Sequence, residues 1–237
     1  MCKGTGWELY QDEKGYEYVR KCKCGIYEQT VNAGRLRFAN IPEMYKDVRL
    51  KDISTKYYKT DSGRTIIKAA GKFVKDYLDN LEQNAEKGKG IYLWSETKGS
   101  GKTMLAAAIS NELIAKKKMV KFATSMDILD EIKATYNKGS EESESTLLND
   151  LVNVQFLVID DFGTERASEW AGEKFYQIIN KRYLNKRVTI YTSNYDLKTL
   201  KYDDRITNRM RERTYLVHFP EESVREYKAM LENTVTE

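Results

Sequence analysis

Long apolar runs are absent from this 237-residue sequence: no stretch approaches the ~18 residues that cross a bilayer, and the N-terminus lacks an apolar core that would direct secretion. Cysteine is scarce. The chain has three, two of them as the pair Cys22 and Cys24, and they cannot make a disulfide framework; in a reducing compartment, such spacing favours metal or free thiols. Histidine occurs once, as His218 inside the apolar residues 215–219, where a structural role fits better than catalysis. There is also little excess of either charge. The net charge is +4, and residues 1–60 hold all of it, with 12 Lys and Arg against 8 Asp and Glu. That balance permits contact with nucleic acid without requiring it. These absences argue against a helical membrane protein and a disulfide-stapled secreted domain, and they predict a cytoplasmic protein with no membrane partner.

The length leaves room for one α/β domain and a small appendage, and 41% hydrophobic residues allow a substantial core. Residues 91–103 organise the rest. Ile91, Tyr92, Leu93 and Trp94 suit a buried parallel strand, and residues 104–116, rich in Ala and Leu, suit the helix that follows. Between them, Thr97, Lys98, Gly99, Ser100, Gly101, Lys102 and Thr103 read as a phosphate-binding loop. Glycines at 99 and 101 let backbone N–H groups turn inward around a polyphosphate at the positive end of the helix. Lys102 then reaches the β and γ phosphates of ATP, and the Thr103 hydroxyl holds Mg²⁺. One element of the GxxxxGK[ST] pattern is missing, because Glu96 stands where the first glycine belongs. A Gly-rich turn of another kind would share these residues.

Residues 1–40 show short strands and turns with little helical period. Thiolates from Cys2, Cys22 and Cys24 offer three of the four ligands of a structural Zn²⁺ site, the alternative being free thiols on an arm. Pro42 marks a boundary, and residues 41–64 read as a connecting segment. Over 65–85, Ile66, Ile67, Ala70, Phe73, Val74, Tyr77, Leu78 and Leu81 recur at helical spacing. Beyond the loop helix come a strand at 119–123, a helix at 125–136, a polar loop at 138–146 and an apolar strand at 155–159. A helix at 168–185, a strand at 187–191, an Arg-rich helix at 204–213, a strand at 214–219 and a helix at 223–232 complete the chain. This alternation predicts a parallel sheet covered on both faces, with chemistry at the carboxyl ends of its strands.

Asp160 and Asp161 close the 155–159 strand at that edge. One carboxylate there can hold Mg²⁺, usually through water, and its neighbour can orient or deprotonate an attacking water, although a plain Asp turn after a strand looks the same. Asn194, at another strand end, offers an amide to the γ-phosphate or the water; a turn-forming Ser-Asn is the alternative. Arg205, Arg209, Arg211 and Arg213 recur at helical intervals, suited to stabilising charge on a phosphoryl group or to a solvated basic helix. Glu165 and Arg166 read as exposed loop residues without a role.

The order phosphate loop, Phe156-Leu-Val-Ile-Asp-Asp-Phe-Gly163, Thr192-Ser-Asn194 and Arg205-Ile-Thr-Asn-Arg-Met-Arg211 resembles the AAA+ helicase loaders of the DnaC/DnaI type, and Arg35-Leu-Arg-Phe-Ala-Asn-Ile-Pro42 resembles the segment preceding their ATPase domain. The resemblance implies a P-loop AAA+ ATPase core over 65–237 behind a connecting segment, 41–64. In such a core Lys102 and Thr103 belong to Walker A, Asp160 and Asp161 to Walker B, and Asn194 to sensor 1. Arg209 matches the arginine finger that acts on ATP bound by a neighbouring subunit, and Arg225 matches sensor 2. Residues 1–40 look like the cysteine module of some relatives, similar to regions that contact the replicative helicase. The implied activity is ATP-dependent loading of a DnaB-type helicase onto single-stranded DNA by a self-associating ATPase. An IstB-type transposition helper, a nucleotide-gated scaffold with little hydrolysis and a small-molecule kinase are the alternatives.

Overall fold

The computed structural model describes residues 2, 4–136, 141–165 and 168–233. An antiparallel hairpin opens it, β1 (Trp7–Gln11) against β2 (Glu17–Lys21), with Trp7 opposite Lys21 and Gln11 opposite Glu17. Then comes α1 (Ile26–Ala39), entered through Gly25 at φ 78°. Of its residues only Ala39 is buried, so the helix carries no apolar stripe, which is why residues 1–40 show little helical period in the sequence. Three single 3-10 turns, Glu43–Tyr45, Leu50–Asp52 and Thr55–Tyr57, lead to α2 (Asp61–Asp79). The helix expected over 65–85 is in fact two: α2 starts at a Thr60 cap whose Oγ1 accepts the Gly63 N–H at 2.9 Å, and Asn80 separates it from α3 (Leu81–Glu86).

The remaining elements alternate: β3 (Gly90–Trp94), α4 (Lys102–Ala115), β4 (Val120–Thr124), α5 (Ser125–Tyr136), α6 (Glu141–Asn153), β5 (Phe156–Asp160), α7 (Glu169–Leu184), β6 (Val188–Ser193), α8 (Asp204–Arg213), β7 (Thr214–His218) and α9 (Val224–Asn233). Five strands form one sheet in the order β4-β5-β6-β3-β7, and every pairing is parallel. Helix α6 corrects the sequence reading, which placed a loop at 138–146. Residues 141–146 are only Glu, Ser and Thr, and the apolar face begins at Leu147, too late to mark the helix start; residues 138–140 lie outside the described residues.

Strand side chains alternate between two cores. Ile91, Leu93, Phe156, Val158, Val188 and Ile190 face α2 and α4, whereas Tyr92, Leu157, Ile159 and Tyr191 face α5, α7 and α8. Fully burying each such side chain is worth about 1.5–3 kcal/mol, so both helical layers are held on by the sheet's own alternation. Residues before α2 join the first core, since Ala39, Ile41 and Tyr58 are buried in it. Among the described residues no helix is long and apolar enough to cross a membrane.

Candidate nucleotide-binding site

At the carboxyl edge of the sheet, β3 runs into a loop that ends at α4. Gly99 (φ 77°) and Gly101 (φ 101°) take the left-handed conformation that favours glycine, and a Cβ on Gly99 would meet Ser223 Oγ at 2.9 Å. The loop is braced from below, where the Tyr58 hydroxyl donates to the Ser100 carbonyl at 2.7 Å. Lys102 is buried, and its Nζ donates to the Ser95 and Thr97 carbonyls and to Ser100 Oγ at 3.1–3.2 Å. Burial lowers its pKa, against the pull of Asp161, Glu221 and Asp160. Glu96 is outside the left-handed region, so this position does not call for the glycine that the pattern lacks. Instead, the N–H groups of Glu96 and Thr97 donate to the two oxygens of Glu221 at 3.1 and 2.7 Å.

The paired acids stand at the same edge. Thr103 Oγ1 donates to Asp160 Oδ1 at 3.0 Å, and that oxygen also accepts the Thr192 hydroxyl. Burial raises the Asp160 carboxyl to about 6, although the two hydroxyls oppose it. Asp161 is exposed and left-handed (φ 53°); its N–H donates to Thr192 Oγ1 at 2.9 Å, so one threonine on β6 sets both acids. A cleft of about 240 Å³ is lined by Lys98 through Thr103, Asp161, Asn194 and Arg225, with Met44 and Tyr45 from the connecting segment. Hard oxygen donors from Thr103 and Asp160 suit Mg²⁺, and a lysine at the start of a helix suits a triphosphate.

A family profile described as IstB-like ATP binding protein matches residues 74–226, more than half of the chain. The chain belongs to the IstB-like ATP-binding family. The replicative helicase loader DnaC of Buchnera aphidicola subsp. Baizongia pistaciae is 36% identical over 139 residues, 58% of this chain and 55% of the relative; DnaC of Escherichia coli strain K12 matches with the same figures. This chain therefore spans about half the length of the curated relatives it matches. A solved structure of DnaI is similar over 81% of this chain and 99% of its own, with 26% identity and a TM-score of 0.63. The resemblance to AAA+ proteins of the DnaC/DnaI type is borne out, with the P-loop AAA+ fold and ATP as ligand.

Within this family member, the expected residues fall into separate groups. Lys98 through Thr103, Asp161, Asn194 and Arg225 meet in one cleft, with Asp160 buried beside it; Thr97 contributes its carbonyl to Lys102. Arg225 is placed by backbone, since the Val224 and Arg225 N–H groups donate to the Gly99 carbonyl at 3.0 and 3.3 Å. Arg209 does not line the cleft. It lies between α8 and α7, its Nε donating to Asn180 Oδ1 at 2.8 Å and its guanidinium over Tyr176 and Tyr183. Cys2, Cys22 and Cys24 converge at the hairpin base, their sulfurs within 4.8 Å of one another. Sequence reasoning missed Glu221, Thr192 and Tyr58. Thr192 had a visible signal, its place two residues before Asn194 at a strand end, but Glu221 is distant in sequence from the loop it holds. Glu165 corrects another expectation: it is buried, not exposed, while Arg166 lies outside the described residues.

Proposed function

We propose that this protein is an ATP-dependent replication factor that loads a DnaB-type helicase onto single-stranded DNA in the cytoplasm. The observation that carries the proposal is the meeting of Lys102, Thr103, Asp160, Asp161 and Asn194 at one sheet edge in a chain similar to DnaC. When bound, ATP with Mg²⁺ supplies the phosphoryl group whose loss changes the cleft. Lys102 and the loop N–H groups hold the phosphates, and Thr103 and Asp160 hold the metal. Asp161 and Asn194 orient the attacking water, and Arg225 contacts the nucleotide from α9. Arg209 acts on the nucleotide of a neighbouring copy, an assignment supported by its absence from the lining of its own cleft. A guanidinium supplied in trans is worth ~10³–10⁵ in rate, so hydrolysis depends on self-association.

Residues 1–40 serve as the helicase-contacting module, 41–64 as the connecting segment and 65–237 as the ATPase domain. The three thiols fit zinc, because sulfurs at tetrahedral positions ~2.3 Å from the metal lie well within their spread. The test is co-purification with the replicative helicase, together with ATP turnover stimulated by single strands. Absence of both with intact protein refutes loading. The family match also supports a transposition helper, and filament formation on duplex DNA without helicase binding would select that reading.

A further inference from the structure

Glu165 is a buried carboxylate, 6% exposed, that the function proposed above leaves unused. Burying such a group is tolerated only where hydrogen bonds replace its hydration. Its oxygens accept the Gly163 N–H at 3.2 and 3.1 Å and the phenolic O–H of Tyr202. One partner belongs to the turn after β5, and the other to the segment entering α8.

On the first side, Gly163 sits two residues past Asp161, whose left-handed backbone is strained for a residue with a side chain. The Asp161 carbonyl is pinned by Ser125 Oγ at 3.0 Å and Thr164 Oγ1 at 2.7 Å. On the other side, Tyr202 lies flat on Phe162, with centroids 5.0 Å apart and planes 11° apart, and meets Phe175 edge-on. Burial, and then the charge of Glu165, raise the phenol's pKa, so it stays a donor. Asp203 follows immediately, and its Oδ1 caps α8 by accepting the Arg205 N–H at 2.7 Å. Arg209 stands on that helix.

We propose that the Glu165–Tyr202 hydrogen bond is a latch that makes the Asp161 turn and the N-terminal end of α8 move as one, with Glu165 and Tyr202 as positioning residues for ATP hydrolysis. The coupling stands on the contacts alone; its effect on turnover rests on the proposed ATPase activity.

Amide hydrogen exchange on the full chain tests the coupling. Tyr202→Phe keeps the ring stack and removes only the hydroxyl, and Glu165→Gln removes the charge. Each is expected to speed exchange about fivefold in both 161–164 and 203–207, and the double variant no more than the larger single. A Glu165→Gln variant that loosens the turn and leaves α8 unchanged overturns the latch. In turnover, both variants are expected to lose about tenfold in kcat while ATP affinity stays within about twofold. A parallel loss of affinity, or unchanged kcat where the unmodified protein hydrolyses ATP, overturns the positioning role. If the unmodified protein hydrolyses none with helicase and DNA present, the ATPase reading fails, and exchange still decides the latch.

Discussion

Asp160 should limit the stability of the nucleotide-free protein. It is 4% exposed, and burial moves its carboxyl from 3.8 to about 6 despite the hydroxyls of Thr192 and Thr103. A raised carboxyl pKa means that the native state binds the proton more tightly than the unfolded chain does. Stability from this group is therefore present below pH 3.8 and is lost as pH rises through about 6. Above both values the loss amounts to about 3 kcal/mol. Asp160→Asn removes the charge and keeps an Oδ1 that can accept both hydroxyls, while its new NH₂ group needs an acceptor and trims the gain. The variant is expected to be more stable than the unmodified protein by about 1–3 kcal/mol at pH 8, and equal to it near pH 4. Other titrating groups are common to both proteins and cancel in the comparison. Urea unfolding at the two pH values measures the difference, and ATP turnover should be lost in the same variant. A variant that is less stable at pH 8, or equally displaced at both pH values, refutes the reasoning.

Glu221 has the opposite sign: burial pushes its carboxyl up, but His218, Thr97 and Glu96 together bring it down to about 2. Its contribution is present above 4.5 and fades as pH falls toward about 2; partial exposure limits it to about 1 kcal/mol, so Glu221→Gln should lower the melting temperature by more at pH 7 than at pH 3, and weaken ATP binding severalfold. Gly163→Ala should lose about 1–3 kcal/mol in denaturant unfolding, because φ is 91° there and a Cβ would lie 2.5 Å from Leu200 Cδ2. Arg182→Met should cost at least about 3 kcal/mol, since the fully buried guanidinium donates to the carbonyls of Leu151, Val152, Val154 and Val188. Metal analysis should find zinc in the purified protein and a lower content in Cys24→Ser; equal content in both refutes that ligand.

Much of the nucleotide-binding core was legible because its signals are local. A strand such as β5 is buried at every position and reads as an unbroken apolar run, and the loop announces itself through two glycines followed by Lys102 and Thr103. Helices α1 and α6 were not legible: one has no apolar stripe, and the other begins with a polar stretch that resembles a loop. The supports of the site were hidden for a different reason. Glu221 reaches back to Glu96 and Thr97, and Tyr58 reaches forward to Ser100; only the fold brings these partners together. Burial of Glu165 was equally invisible, because a Gly-Thr-Glu run after two aspartates looks like solvent-facing turn chemistry.

The contact between Trp94 and His218, with ring centroids 4.3 Å apart, gives this molecule an optical gauge beside its own phosphate loop. Glu221 bonds both that imidazole and the loop amides, so a shift of the loop is passed to the ring packed against the indole. Filling of the cleft is therefore expected to change the emission of Trp94, a signal that needs no dye or label.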